Sequence, residues 1–284
     1  MRRRAPRSFA NKVNQQDSRP RTILRRLDKD KPLSLALGAG GVRGFAHIGV
    51  LEALVERGFT ISEIVGSSAG AIIASFYAAV GLSLPELRAF GLNLSSRHLL
   101  RWALLRRLPT RVRQRYAHLA GIIPGHLERL GTTSGHALHH GVERLGIVCY
   151  DVKRREEVFF HNRQEEFPLE EAARGSASIP GFFPSRRCVV AGREYRLVDG
   201  GVINKLPVDK LFVPPFQPVQ VLAVDVSNVQ SIRDDNYAKV EALRQQHPDT
   251  PIEVLTPDLL GKGTVLYREE ELAAIVEAGR KSLE

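Results

Sequence analysis

The sequence predicts an α/β fold in which a mainly parallel sheet carries helices on its faces. Two consecutive units of strand, glycine turn and helix open the folded part of the chain, at Leu33 to Arg57 and at Ile61 to Val80. Strongly β-prone runs return late, at Val219 to Val226 and Ile252 to Leu255, where a parallel sheet needs further buried strands. The 284 residues, 43% of them hydrophobic, suffice to bury one substantial core without a second full domain.

Residues 1 to 31 are polar and lack a hydrophobic period, so a disordered basic arm is expected there, with one domain over 32 to 284. Leu33 to Leu37 reads as a buried strand stopped by glycines, and Ala46, Val50, Leu51 and Leu54 then recur at helical spacing. Ile61 to Val65 repeats the strand, Gly66 to Gly70 the turn and Ala71 to Val80 an apolar helix. From about 85 to 131 the chain is rich in Leu and Arg and interrupted at Pro109, Gly121 and Pro124, which predicts several short helices forming a cap or insertion. Gly146 to Tyr150 and Glu157 to His161 flank the polar turn Lys153-Arg154-Arg155 as a hairpin, and Arg187 to Val190 and Glu194 to Val198 form a second around Ala191-Gly192. The segment from Val265 to Leu283 has an apolar stripe at helical period and is expected to pack back on the sheet.

The net charge of +10 is unevenly placed: residues 1 to 31 carry +8, residues 97 to 115 carry +7, and the rest is left at −5. A mildly acidic body with two basic appendages suits contact with an anionic surface. Nucleic acid is disfavoured, because aromatic residues are not interleaved with the basic ones as stacking platforms. The run from Arg97 to Arg115 contains Trp102, Leu99, Leu100, Leu104, Leu105 and Leu108, a mixture that fits an interfacial helix on anionic lipid and equally a solvated cap face. No stretch approaches the roughly 20 apolar residues that span a bilayer, and no apolar region follows the N-terminal arginines, so a soluble, cytoplasmic chain with peripheral membrane contact is expected. Cys149 and Cys188 read as small buried hydrophobes. With no acidic loop of EF-hand type, neither a metal nor a cofactor is expected.

Three local patterns carry chemistry. Gly66-Ser67-Ser68-Ala69-Gly70 matches G-x-S-x-G between a strand and a helix, which would hold the Ser68 hydroxyl at a sharp elbow near a helix N-terminus. A plain small-residue turn explains the same five residues. Gly38-Ala39-Gly40-Gly41-Val42-Arg43-Gly44 follows the first strand, and its glycines expose N–H groups suited to a phosphate or to the oxyanion of an acyl intermediate. As a dinucleotide fingerprint it is imperfect: the last glycine falls one position late, and Val65-Gly66 stands where a ribose-binding acid belongs. Asp199-Gly200-Gly201 ends a strand and can bring a carboxylate close to a serine, although Asp-Gly is also a common hairpin turn.

In this order the blocks resemble the patatin-like phospholipases, specifically their bacterial members. The resemblance covers most of the chain after Pro32 and rests on Gly40-Gly41-Val42-Arg43-Gly44 with its continuation Phe45 to Leu51, on Gly66 to Gly70, on Ala177-Ser178-Ile179-Pro180 and on Asp199-Gly200-Gly201. It implies a three-layer α/β/α sandwich and hydrolysis of acyl esters in phospholipids and related lipids by a Ser-Asp dyad without histidine. By position it implies Ser68 as nucleophile, Asp199 as base, and Gly40, Gly41 and Arg43 in the oxyanion-hole motif. The Ala69 N–H joins them from the elbow, and Gly38, Gly44, Gly66, Gly70, Gly200 and Gly201 support the motifs.

Two rivals remain on sequence grounds. An α/β-hydrolase triad would need His247, the only histidine after Asp199, in the polar run Gln245 to Asp249. A non-catalytic basic protein would use its arginines to bind anionic membranes. Asp225 is the reserve acid, Asp151 reads as a loop or capping residue, His47 reads as a packing residue, and Ala177 to Pro180 reads as a structural turn near the site.

Overall fold

Side-chain alternation along the strands decides the layering. Strand β1 (Leu33–Leu37) directs Leu33, Leu35 and Leu37 into one apolar cluster and Ala36 into another, and β7 (Val221–Val224) divides Leu222 and Val224 from Val221 and Ala223 in the same way. A sheet apolar on both faces has to be covered on both. The computed structural model describes residues 25–94, 96–105, 108–116, 118, 123–259, 261 and 269–284, and these form an eight-stranded sheet.

The remaining strands are β2 (Ile61–Ser67), β3 (Arg144–Asp151), β4 (Glu156–His161), β5 (Arg186–Val190), β6 (Arg193–Asp199) and β8 (Ile252–Leu255). Their order is β5-β6-β3-β2-β1-β7-β8, with β4 paired to β3. The pairings among β3, β2, β1, β7 and β8 are all parallel, and β4, β5 and β6 add an antiparallel end.

Helices α1 (Ala46–Glu56) and α2 (Ala69–Ala74) cover one face, α2 continuing as a π-helical turn over Ser75–Ala79. Of the C-terminal segment expected from Val265, residues 265–268 lie outside the described residues, and Leu272, Ile275 and Val276 of the helix Glu269–Lys281 join the same core. The opposite face is covered by a 3-10 turn at Val208–Phe212 and a helix at Gln230–Gln246, which contribute Val208, Leu211, Val240 and Leu243. The expected α/β class with a mainly parallel sheet is therefore what the chain forms.

The insertion expected at 85–131 contains α3 (Leu84–Leu92), α4 (Ser96–Leu105), α5 (Thr110–Arg115) and α6 (Ile123–Thr132). A Ser83/Glu86 capping box starts α3, each side chain bonding the other's backbone N–H. Residues 1–24 of the expected arm lie outside the described residues, whereas 25–31 are tied to the sheet. Leu27 is buried and the Asp28 N–H donates to Gln220 Oε1 at 2.8 Å. Two helices carry no expectation from sequence, α7 (Leu169–Ser176) and α8 (Gln230–Gln246); the C-terminal helix is α9 (Glu269–Lys281).

Candidate active site

The register of β3 places the site. Strand β4 takes one edge of β3 from Gly146 to Asp151, so β2 and β6 share the other. There Ser67 lies opposite Val148 and Asp199 opposite Cys149, on consecutive residues, and the carboxyl ends of β2 and β6 meet. The glycine loop leaves β1 where the strand order switches, with β2 on one side and β7 on the other, the usual location of a ligand crevice in such sheets.

Ser68 follows β2 with φ 55° and ψ −121°, a conformation that a side-chain-bearing residue adopts only under strain, and it is the N-cap of α2. Two neighbouring glycines make the elbow sterically possible: a Cβ on Gly66 would stand 2.5 Å from the Ala71 nitrogen, and one on Gly70 would strike the Leu37 carbonyl oxygen. The Ser68 N–H donates to Ser176 Oγ at 2.9 Å, and that hydroxyl donates to the Val148 carbonyl at 2.6 Å, so α7 pins the elbow to β3.

Ser68 Oγ donates to Asp199 Oδ2 at 2.7 Å, across 131 residues of sequence. Asp199 Oδ1 accepts the Gly201 N–H at 2.7 Å, and the Asp199 N–H donates to the Ser178 carbonyl at 3.1 Å. Lys205 Nζ donates to the Gly201 carbonyl at 2.9 Å, which brings a positive charge near the carboxylate. Burial raises the Asp199 pKa above the usual carboxylate range, and the bonds from Ser68 and Gly201 and the charge of Lys205 oppose the rise.

Above Ser68 opens a cavity of about 220 Å³, space for an acyl chain rather than a lone water. Its walls include Ile72, Phe76, Phe90, Leu94, Ile123 and Leu130, from α2, its π-helical extension and the cap. His126 joins them edge-on to Phe90, ring centroids 4.6 Å apart, and burial lowers its pKa, which favours the neutral ring. Gly41, Gly44 and Ala69 also line the cavity. Gly41 (φ 56°) opens the 3-10 turn Gly41–Phe45 and Ala69 opens α2, so neither N–H has an intrahelical acceptor.

The other expected residues lie around this centre. Gly38, Gly40 and Arg43 do not line the cavity: Gly38 donates to the Val224 carbonyl, Gly40 packs against Val226, and the Arg43 guanidinium is buried with Asp225 and Arg233 as charged neighbours. Gly200 continues from Asp199 under the Val148 carbonyl. His47 is fully buried and donates from Nε2 to the Gly38 carbonyl at 2.8 Å, bracing the glycine loop from beneath. Asp225 is occupied by the Ser227 N–H and Asn236 Nδ2, and Asp151 by Arg154 and the N–H groups of Lys153 and Arg196. The structure does not bring His247 to Ser68. It caps the C-terminus of α8 and stacks on Phe212 at 4.1 Å, which removes the triad alternative.

Sequence reasoning missed Ser176 and Lys205. Ser176 lies one residue before the block Ala177 to Pro180 and Lys205 four residues after Gly201, and neither spacing marks a role until the strands are paired. Among the described residues, no group of three or more His, Cys, Asp and Glu side chains is placed to hold a metal ion.

Fold and site together define an α/β protein with a serine hydroxyl and a carboxylate bonded to each other below an apolar cavity. Residues 35–212 match the family model for the patatin-like phospholipase, and the chain belongs to that family. An uncharacterized NTE family protein of Mycobacterium tuberculosis is 35% identical over 182 residues, 62% of this chain and 44% of that one. The Lysophospholipase NTE1 of Yarrowia lipolytica is 26% identical over 230 residues, 75% of this chain and 14% of that one. This chain thus spans less than half the length of these relatives. VipD from Legionella pneumophila has a similar fold, with a TM-score of 0.51 at 14% identity over 90% of this chain and 66% of that one.

Proposed function

We propose that this protein is a serine lipid acyl hydrolase that cleaves acyl esters of phospholipids or related lipids, with Ser68 as nucleophile and Asp199 as its base. The observation that carries the reading is the 2.7 Å hydrogen bond from Ser68 Oγ to Asp199 Oδ2 at the foot of an apolar cavity. As Oγ attacks the ester carbonyl, Asp199 accepts its proton, and the tetrahedral oxyanion meets the N–H groups of Gly41 and Ala69. One such donor is worth about 3 kcal/mol of transition-state stabilisation. Collapse expels the alcohol or lysolipid, which takes the proton from Asp199, and water repeats the sequence on the acyl enzyme. The relative named a lysophospholipase favours lysophospholipids among the substrates. The test is acyl release from phospholipid, lysophospholipid and a short-chain ester by the purified chain. Release from none of them, or release that survives Ser68→Ala, overturns the reading.

The pH dependence follows from the base. Only ionised Asp199 accepts the proton, so kcat/KM falls as pH drops through a pKa held above the ordinary carboxylate value by burial. Lys205 opposes that rise, so Lys205→Met is expected to move the acid limb of the kcat/KM profile to higher pH. An acid limb in the same place in both proteins would disconnect Asp199 from turnover.

The same reading includes peripheral contact with an anionic membrane. Leu100, Leu104, Leu108 and Val112 stand exposed every fourth residue along the cap, Leu104 at 53%, beside exposed Arg97, Arg101, Arg111 and Arg115. Among the described residues no helix is long and apolar enough to cross a membrane. Vesicle binding is expected to require anionic lipid and to weaken with salt. Equal binding to neutral vesicles in high salt would remove the electrostatic part.

A further inference from the structure

The cavity above Ser68 is mostly apolar, and two arginines enter its wall, Arg174 from α7 and Arg186 from the start of β5. Both guanidinium groups converge on one point. Glu170 Oε1 accepts from Arg174 Nη1 and, at 3.3 Å, from Arg186 Nη2, which also reaches Glu171 Oε1 at 3.4 Å. Each guanidinium has five N–H donors in a fixed fork, more than these carboxylates occupy. Arg186 Nε is buried with no hydrogen-bond partner among the described residues. The two cations also press on each other, since Arg174 has its pKa lowered first by burial and next by Arg186.

Binding an acyl chain gains nothing from two half-buried cations. An anion with several oxygens, held a few bonds from a scissile ester, does. Arg174 lies two residues before Ser176, whose hydroxyl holds the Ser68 N–H, so its backbone is fixed close to the elbow. Both forks already donate to Glu170 Oε1, and a tetrahedral phosphate offers oxygens to the donors that this carboxylate leaves over, Arg186 Nε among them. We infer that Arg174 and Arg186 form an anion subsite that takes the phosphate of a phospholipid whose ester lies at Ser68. The inference rests on the hydrolase reading for its orientation, and its test is made by binding, so that it succeeds or fails apart from turnover.

The experiment compares the affinity of the intact chain for two uncleavable ether lipids with the same alkyl chain, a 1-alkyl lysophosphatidylcholine and a 1-alkylglycerol. Wild type is expected to prefer the phosphate-bearing lipid by about tenfold, the usual scale of one charge-assisted hydrogen bond. Arg186→Gln and Arg174→Gln should each erase most of that preference while leaving alkylglycerol affinity in place. Arg186→Lys should retain part of it, and Glu170→Gln should strengthen it by removing the negative charge that competes with the phosphate. Thermal melts verify that each variant is folded. Equal affinity of wild type for the two lipids, or a loss that falls equally on both in folded variants, overturns the subsite. So does displacement of the lysolipid by inorganic phosphate at matched concentration, which would assign the arginines to free phosphate. Failed ester hydrolysis beside an intact phosphate preference would instead sink the hydrolase reading and leave the subsite standing.

Discussion

Replacing Ser68 by alanine is expected to lower acyl-ester hydrolysis by a factor on the order of 10⁴ or more, with the melting temperature within a few degrees of wild type. The hydroxyl proposed as nucleophile is removed, whereas the elbow keeps its glycines and the residue-68 N–H bond to Ser176. Asp199→Asn is expected to cost roughly 10³ to 10⁴ in kcat, because the amide keeps the size of the carboxylate and the Gly201 bond but cannot take a proton. It should not destabilise the fold, since burial already penalises the ionised carboxylate. The double variant decides whether the two residues act as one unit. If Asp199 serves only to activate Ser68, the double variant is no slower than Ser68→Ala alone. Multiplicative losses would mean that the two contribute separately, and the dyad assignment would be wrong.

The largest expected loss of stability lies away from the site, where α1 crosses α9. A Cβ on Gly49 would strike the Val276 carbonyl oxygen, and one on Gly279 would strike the carbonyl oxygen of Ala46. Backbone atoms cannot rotate away as side chains do, so each added methyl has to push the helices apart and loosen the packing of Ile275 and Val276 on the core. Helix propensity works in the opposite direction, favouring alanine over glycine by about 1 kcal/mol. The overlap is expected to win: Gly49→Ala and Gly279→Ala should each destabilise by about 3 kcal/mol. The corresponding fall in Tm is roughly 10 °C for a domain of this size. Once the helices have parted for one methyl the second costs less, so the double variant should lose less than the sum. A raised Tm for either single variant would show that propensity outweighs packing here and that the close approach is not tight.

Several elements were legible because their signals are local. The strand at Leu33 to Leu37 has the bounds expected of it, and the elbow and both hairpins lie where turn residues interrupt apolar runs. Helix α8 was not legible. It buries only Asn236, Val240 and Leu243 among seventeen residues, too few to impose a hydrophobic period. Helix α7 was obscured for a related reason: its eight residues are partly acidic, and Ser176 meets the elbow only through Ser68, 108 residues away in sequence.

By itself the sequence determined the α/β class, the family blocks and the residue types available for chemistry, because strand and helix periods and glycine turns depend on neighbours in the chain. Tertiary structure alone decided that β2 and β6 share one edge of β3, and hence that Ser68 Oγ reaches Asp199 Oδ2 while His247 is left on Phe212. It also decided that the cap closes an apolar cavity over the serine with two arginines in its wall. Those outcomes follow from strand register and from packing between distant segments, and neither leaves a period or a spacing in the chain.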